Sequence, residues 1–137
     1  MKNTVKIIAA FTLALALLCL FSCENANVWE TATYTEDTTI GTGAKSATVT
    51  VEANNRSVSF KVYTDEDTVA DALVALSFIS GEEGEFGLYI KTVNGILADY
   101  DVNQRYWAFH VNGQLSMVGA DSVEFTEGAV YKFVYTR

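Results

Sequence analysis

A chain of 137 residues is long enough for one domain, and its 17 acidic against 9 basic residues give a net charge of −8 at pH 7. This acidity disfavours nucleic acids and anionic head groups as partners, because their phosphates repel it. The sequence contains a single histidine, His110, which excludes a site built from several histidines.

The N-terminus has the three parts of a secretory signal peptide. Lys2 and Lys6 form a short positive region, an apolar run extends over residues 7–21, and the small residue Ser22 precedes Cys23. The apolar run is shorter than the roughly 20 residues that a membrane-spanning helix needs. Residues 1–22 are therefore predicted to be a signal peptide.

The tetrapeptide Leu20-Phe21-Ser22-Cys23 resembles the lipobox of bacterial lipoprotein signal peptides. The resemblance implies cleavage after Ser22, a lipid on the Cys23 sulfur, and a mature protein anchored in the cell membrane outside the cytoplasm. Cys19 would leave with the signal peptide, so no thiol would remain for catalysis or a disulfide. The alternatives are an ordinary secreted protein with an incidental cysteine, or an uncleaved membrane anchor.

Residues 23–45 are predicted to form a flexible tether. The segment is rich in threonine and acidic residues, contains Gly41-Thr42-Gly43, and has no sustained apolar period. As a random coil it would hold the domain roughly 25 Å from the lipid. Val28, Trp29 and Tyr34 leave open a second possibility, in which this segment packs on the domain as a first strand.

From Ser46 the apolar residues alternate with polar ones, which predicts strands with one buried face. Val49 and Val51 belong to the first strand, and Phe60 and Val62 to the second. Asn54-Asn55 lies between them and favours the backbone of a tight β-hairpin turn.

The period then becomes helical, which predicts one helix over residues 68–80. Thr68 is a candidate N-cap, and the acidic residues 65–67 suit the positive end of the helix dipole. Capping explains this acidic cluster better than calcium binding, since the glycine and glutamate of an EF-hand loop are absent downstream. Residues 82–85 are predicted to form an acidic turn.

Strands return after the helix. Phe86, Leu88 and Ile90 alternate in a strand that ends at Asn94-Gly95, and residues 97–104 form a polar connection. The strand containing Trp107 and Phe109, two core candidates, ends at Asn112-Gly113, and further pairing is predicted at residues 123–125 and 130–135. The whole pattern predicts an α+β fold, with a small β-grasp-like mixed sheet covered by the single helix.

Several C-terminal segments resemble the bacterial domain family related to the C-terminal domain of transcobalamin and intrinsic factor, over about residues 46–135. The segments are Thr68-Val69-Ala70-Asp71-Ala72-Leu73, Gly87-Leu88-Tyr89-Ile90-Lys91-Thr92-Val93-Asn94-Gly95, Tyr106-Trp107-Ala108-Phe109-His110-Val111-Asn112-Gly113 and Gly119-Ala120. The resemblance implies a domain over residues 46–137 that in the animal carriers forms one wall of a cobalamin site. Those carriers also have a large helical domain, which this chain lacks.

The sequence offers no catalytic motif, so we expect a binding protein and not an enzyme. There is no nucleophile elbow or phosphate loop, and solvation explains the carboxylates of Asp99 and Asp101 without catalysis. No metal or resident cofactor is expected, although a corrinoid is a possible ligand. Tyrosines in loops can grip a flat ligand. The candidate ligand-binding residues are Tyr100, Tyr106, His110, Asn112 and Met117.

Two functions fit this sequence. One is a surface-tethered lipoprotein that binds cobalamin, another corrinoid or a similar small ligand and delivers it to a transporter. The alternative is a cell-surface module that binds an envelope protein or a glycan and has no small-molecule ligand.

Overall fold

The computed structural model describes residues 27–137, so the predicted signal peptide and Cys23 lie outside the described residues. Within this range the chain has nine strands, which form two sheets, and two α-helices. The strands are β1 (Thr38–Gly41), β2 (Lys45–Ala53), β3 (Arg56–Thr64), β4 (Ile79–Gly84), β5 (Gly87–Val93), β6 (Ile96–Leu97), β7 (Tyr106–Val111), β8 (Gln114–Leu115) and β9 (Val130–Thr136). The helices are α1 (Val69–Ala75) and the short α2 (Tyr100–Asn103).

The larger sheet has six strands in the order β1-β3-β2-β9-β7-β8. It is mixed, because β1 runs parallel to β3 and β2 runs parallel to β9, whereas the other pairs are antiparallel. The smaller sheet has the order β4-β5-β6. The predicted α+β class and mixed sheet are confirmed.

The core lies on one face of the larger sheet, beneath α1 and the smaller sheet. Alternate residues of each strand point into it, and the largest fully buried side chains include Phe60, Tyr131 and Phe133. Trp107 and Phe109 also point into the core, as predicted from their spacing. The opposite face of the larger sheet carries mainly threonine, serine and charged residues of intermediate exposure.

The predicted hairpin turn at Asn54-Asn55 is confirmed. Both asparagines have positive φ, 47° and 64°, as a two-residue turn with both central residues left-handed requires. The same solution appears at Asn94-Gly95 between β5 and β6, and at Asn112-Gly113 between β7 and β8.

The N-terminal segment is folded onto the domain from Asn27 onwards, so the predicted flexible spacer over residues 27–45 is wrong. A 3₁₀ turn over Val28–Thr31 buries Trp29, and β1 pairs with β3 along four residues. The alternative is correct in that Trp29 and Tyr34 pack on the domain, but the first strand is formed by Thr38–Gly41 and not by these residues. The physical reason is that one large indole and one parallel strand suffice to hold a segment that has no apolar period of its own.

The helix ends earlier than predicted, at Ala75 instead of Ser80. Thr68 caps its N-terminus by accepting a hydrogen bond from the Asp71 backbone N–H at 3.1 Å. At the other end Ser77 has φ 54°, and the Phe78 N–H donates to the Leu73 carbonyl at 2.9 Å. The left-handed Ser77 and the bond from Phe78 to Leu73 are the features of a Schellman motif, which ends the helix and turns the chain into β4.

The segments flanking β5 and β6 also differ from the prediction. Residues 82–84 belong to β4 and not to an acidic turn, because they pair with β5 across the hairpin. Phe86 lies in the turn of that hairpin, outside the strand. The connection after Leu97 contains α2, which is capped by Asp99.

Replacing Ser77 with glycine is expected to raise the free energy of unfolding by about 1 kcal/mol, because glycine adopts positive φ without the steric cost that a β-carbon brings. Urea denaturation of residues 24–137 would measure the change. Ser80→Gly is the matched control: Ser80 is equally exposed but lies in β4, where glycine should destabilise. A loss of stability in Ser77→Gly would contradict the role given to this residue.

Candidate functional site

The strand directions define two ends of the larger sheet. At one end β2 and β9 finish and β3 and β7 begin; we call this the arginine end, since Arg56, Arg105 and Arg137 lie there. At the other end β7 finishes and β9 begins; we call this the histidine end, after His110. Every residue discussed below belongs to one of these two ends or to the core between them.

The predicted ligand-binding residues are divided between the two ends. Tyr100 and Tyr106 lie exposed at the arginine end, whereas His110, Asn112 and Met117 lie at the histidine end. Because a strand rises about 3.3 Å per residue, Tyr106 and Asn112 are roughly 20 Å apart along β7. The five residues therefore do not form one site.

His110 lies on the outer face of the larger sheet, between two cross-strand neighbours. It pairs with Leu115 on β8 and with Lys132 on β9. The Nδ1 atom of His110 is buried and has no hydrogen-bond partner among residues 27–137. A buried nitrogen without a partner costs about 1–3 kcal/mol, so this ring would gain free energy from a ligand or a rearrangement that supplies one.

Four exposed apolar side chains lie at the histidine end, on β8, in the loop after it and at the start of β9. Leu115, which pairs with His110, is 60% exposed, Met117 92%, Val118 54% and Val130 44%, and we call these four side chains the apolar patch. Large exposed apolar side chains gathered at one end of a folded domain are candidates for a site of interaction. Of the four, only Met117 was predicted from the sequence; an apolar residue in the polar phase of β9 was the signal that could have identified Val130.

The loop that carries the patch is fixed by hydrogen bonds. The Ser116 N–H donates to the Phe109 carbonyl at 2.9 Å, and the Ser116 hydroxyl donates to the Val118 carbonyl at 2.7 Å. Asn112 accepts a bond from the Val130 N–H at 2.8 Å, so its side-chain oxygen holds the β7–β8 turn against β9. The patch is thus presented on an ordered surface.

The arginine end contains an open cleft of about 550 Å³ between the β2–β3 turn and β9. Two cation–π contacts border it: the Arg56 guanidinium lies 4.8 Å from the Trp29 ring, and that of Arg105 lies 5.5 Å from the Tyr135 ring. The cleft is lined by Glu52, Ala53, Asn54, Asn55, Arg56, Ser57, Val134 and Tyr135. Nothing in the local sequence predicts it, because it depends on the register between β2 and β9.

Asp99 is buried and ion-paired, which corrects the expectation that solvation explains its carboxylate. It lies 3.2 Å from the Lys91 ammonium, which is also 3.1 Å from Glu82. Hydrogen bonds from the lysine to Glu82 and then to Asp99 raise the Lys91 pKa above its usual value. Asp99 also accepts the Asp101 N–H as the cap of α2, so its role is structural.

A second acidic side chain has a structural partner at the histidine end. The Glu127 carboxylate accepts hydrogen bonds from the backbone N–H and the hydroxyl of Ser46. These bonds lower the pKa of Glu127 below its usual value. Glu127 thereby joins the start of β2 to the turn before β9.

Two further properties concern residues 27–137 alone. Over this range no three histidine, cysteine or acidic side chains cluster closely enough to hold a metal ion. Its helices are also too short to cross a bilayer; the longest, α1, has seven residues.

The family described as "Domain of unknown function (DUF4430)" matches residues 66–137, which is more than half of the chain. The chain belongs to this family. No curated protein matches the sequence. The DUF4430 match begins in the loop before α1, so β1, β2 and β3 precede it while contributing half of the strands in the larger sheet.

Solved structures resemble this DUF4430 protein over its folded part. A candidate metal-binding protein from Ruminococcus gnavus ATCC 29149 is 28% identical with a TM-score of 0.63, and the match covers 69% of this chain and 98% of that one. Haptocorrin, in its complex with Cbi, is 19% identical with a TM-score of 0.55 over 68% of this chain. The DUF4430 protein spans only 25% of haptocorrin, so this similarity supports the sequence resemblance at the level of the fold.

Proposed function

We propose that this protein is a lipid-anchored binding protein of the bacterial envelope, which holds a ligand of the corrinoid class, a flat macrocycle with an amide-bearing polar rim, at the histidine end. The observation that carries the proposal is the apolar patch at this end, where Leu115 pairs with His110. The fold shared with haptocorrin, which was crystallised with Cbi, supports a corrinoid as the first ligand to test. The ligand would then pass to a transporter.

The patch has the composition expected of such a site. Leu115, Met117, Val118 and Val130 offer apolar contact area to a flat ring system. His110 on the outer face offers a ring nitrogen for the polar groups at the rim of a ligand, while its neighbour Lys132 has its ammonium 3.7 Å from the Glu52 carboxylate. Methionine adapts its shape easily, which suits a surface that must fit an irregular ligand.

The proposed anchor is the lipid on Cys23. The lipobox-like Leu20-Phe21-Ser22-Cys23 supports it, and each buried methylene of an acyl chain contributes about 0.8 kcal/mol to membrane binding. Several chains on one residue would keep the protein at the membrane throughout a cycle of ligand capture and release.

Titration of residues 24–137 with cobalamin and cobinamide tests the ligand, with calorimetry and tryptophan fluorescence as the measurements. We expect saturable one-to-one binding with a Kd in the micromolar range, equivalent to roughly −8 kcal/mol. Leu115→Ser combined with Met117→Ser should weaken it at least about tenfold, or 1.4 kcal/mol. Val102→Ser and Tyr100→Ser, exposed at the other end, are the matched controls and should bind normally.

Titrations that show no change in heat or fluorescence up to millimolar ligand would contradict the corrinoid proposal. Normal binding in the double variant, with loss in the controls, would move the site to the arginine end.

A second candidate is the protein- or glycan-binding module, and one observation favours it. Phe86 is 94% exposed at the turn between β4 and β5. A single aromatic side chain held on a hairpin is suited to anchoring a partner. A pull-down from envelope extracts should then recover a saturable partner that Phe86→Ser loses; recovery of none would count against this function.

A further inference from the structure

We propose that the arginine end of the domain rests on the bilayer surface, so that the apolar patch is held facing away from the membrane. This inference depends on the lipid anchor proposed above for Cys23, and it adds an orientation that the anchor alone does not specify. It follows from the length of the linker, and from the arginines and the exposed aromatic side chains at that end.

The first argument is the distance available between the lipid and the domain. Asn27 caps the 3₁₀ turn, and the Trp29 indole N–H donates to the Ala53 carbonyl at 3.0 Å, at the arginine end of β2. Only three residues lie between Cys23 and Asn27, and the four steps along the chain, at about 3.5 Å each, span at most about 14 Å. A lipid on Cys23 therefore holds the arginine end within that distance of the head groups.

The second argument is the distribution of charge. The sequence has three arginines, and all of them lie at this end: Arg56 at the start of β3, Arg105 before β7 and Arg137 after β9. A guanidinium binds phosphate oxygens with two parallel hydrogen bonds. Glu30, Glu36, Asp37 and Asp101 are exposed at the same end, so the surface is mixed in charge, and the contribution of the arginines is phosphate pairing and not net positive charge.

The opposite end is acidic. Asp65, Glu66 and Asp67 follow β3 there, and Glu127 lies before β9. Anionic head groups repel these carboxylates, whereas the guanidinium groups at the other end can pair with phosphate oxygens, which supports the orientation that the short linker imposes.

The third argument is the set of exposed apolar and aromatic side chains around α2. Leu97, Tyr100, Val102 and Tyr106 are all exposed at the arginine end. Asn103 ties α2 to this end by donating to the Leu97 carbonyl at 3.0 Å and to the Tyr135 hydroxyl at 3.4 Å. Tyrosines favour the membrane–water interface, where the ring is in an apolar region and the hydroxyl is hydrated.

The test uses the full chain, processed by a bacterial host and reconstituted into vesicles of phosphatidylethanolamine and phosphatidylglycerol. Once Cys23 is lipidated the mature chain has no other cysteine, so single cysteines can be labelled selectively. A fluorophore is placed at Asn55→Cys or Val102→Cys at the arginine end, and at Met117→Cys or Asp65→Cys at the other. Quenching by lipids with a nitroxide on the head group reports proximity to the bilayer.

We expect strong quenching at Asn55→Cys and Val102→Cys and little at Met117→Cys and Asp65→Cys. Replacing all three arginines with glutamine should reduce the difference, whereas Lys61→Gln, an exposed charge on the outer sheet face, should leave it unchanged. Equal quenching at both ends, or stronger quenching at Met117→Cys, would overturn the orientation. Flotation of the same vesicles separates the two proposals: protein that does not float refutes the anchor, and protein that floats without the expected pattern refutes the orientation alone.

Discussion

Trp29→Ala is expected to lower the free energy of unfolding by about 3–5 kcal/mol, the usual cost of removing a buried large aromatic side chain. Trp29 is only 4% exposed, its indole N–H donates to the Ala53 carbonyl, and the Arg56 guanidinium packs on its ring. A domain of this size is stable by about 5–15 kcal/mol in total, so the loss is a large fraction. Urea denaturation of residues 24–137 measures it.

Trp29→Phe is the matched control for that substitution. It retains an aromatic ring but leaves the Ala53 carbonyl without its indole donor, which should cost about 1–3 kcal/mol. If Trp29→Ala changed stability by less than the control, the N-terminal segment would be a loosely attached spacer, and the short linker on which the membrane orientation depends would be lost.

Asn94→Leu is the second substitution with a large expected effect, about 3–8 kcal/mol of lost stability. Asn94 is 1% exposed; its amide accepts from the Tyr34 N–H and donates to the Tyr34 carbonyl, both at 2.9 Å. Leucine would leave two backbone groups unpaired, at about 1–3 kcal/mol each. It would also have to adopt the φ of 51° found here, at a further cost of about 1–2 kcal/mol.

Asn55→Leu separates these contributions, because Asn55 has a similar φ of 64° but is exposed. It should lose only the backbone contribution of about 1–2 kcal/mol. Thermal denaturation followed by circular dichroism would compare the two variants. Equal losses in both would mean that the Asn94 amide contributes nothing beyond its turn geometry.

The central strands could be predicted from the sequence because their signal is local. Val49 and Val51, Phe60 and Val62, and Trp107 and Phe109 alternate with polar residues, and each pair lies in the core on one face of the larger sheet. The signal for the turns is equally local, since asparagine tolerates the positive φ that a tight hairpin needs. The α+β class followed from these elements.

The N-terminal segment could not be predicted in the same way. β1 contains one apolar side chain, Ile40, among threonines and a glycine, and it is a strand only because β3 supplies its hydrogen-bond partners. Trp29 is likewise held in place by a hydrogen bond to the carbonyl of Ala53, which lies 24 residues away in the sequence. The helix was extended too far because Leu76 and Ile79 continue the helical spacing, while the left-handed Ser77 has no strong sequence signal.

The candidate site was predicted only in part, for a geometric reason. Tyr106 and His110 are four residues apart. On a helix this spacing would place them on neighbouring turns, but on a strand it separates them by about 13 Å. Met117, a candidate ligand-binding residue from the sequence, is 92% exposed, whereas the positions of Leu115 and Val130 depend on the pairing of β8 and β9 with β7. This pairing depends on the register between separate segments, and no local sequence pattern specifies that register.

The position of β9 has a consequence for how the chain acquires its structure. This strand is the last of the nine in chain order, yet it lies between β2 and β7 inside the larger sheet. Ser46 and Glu127, which meet where β2 begins, are separated by 81 residues, so the contact order of the sheet is high and folding should be slow. A chain that lacks β9 cannot join the two halves of the sheet, so we expect the larger sheet to form only after β9 has been synthesised.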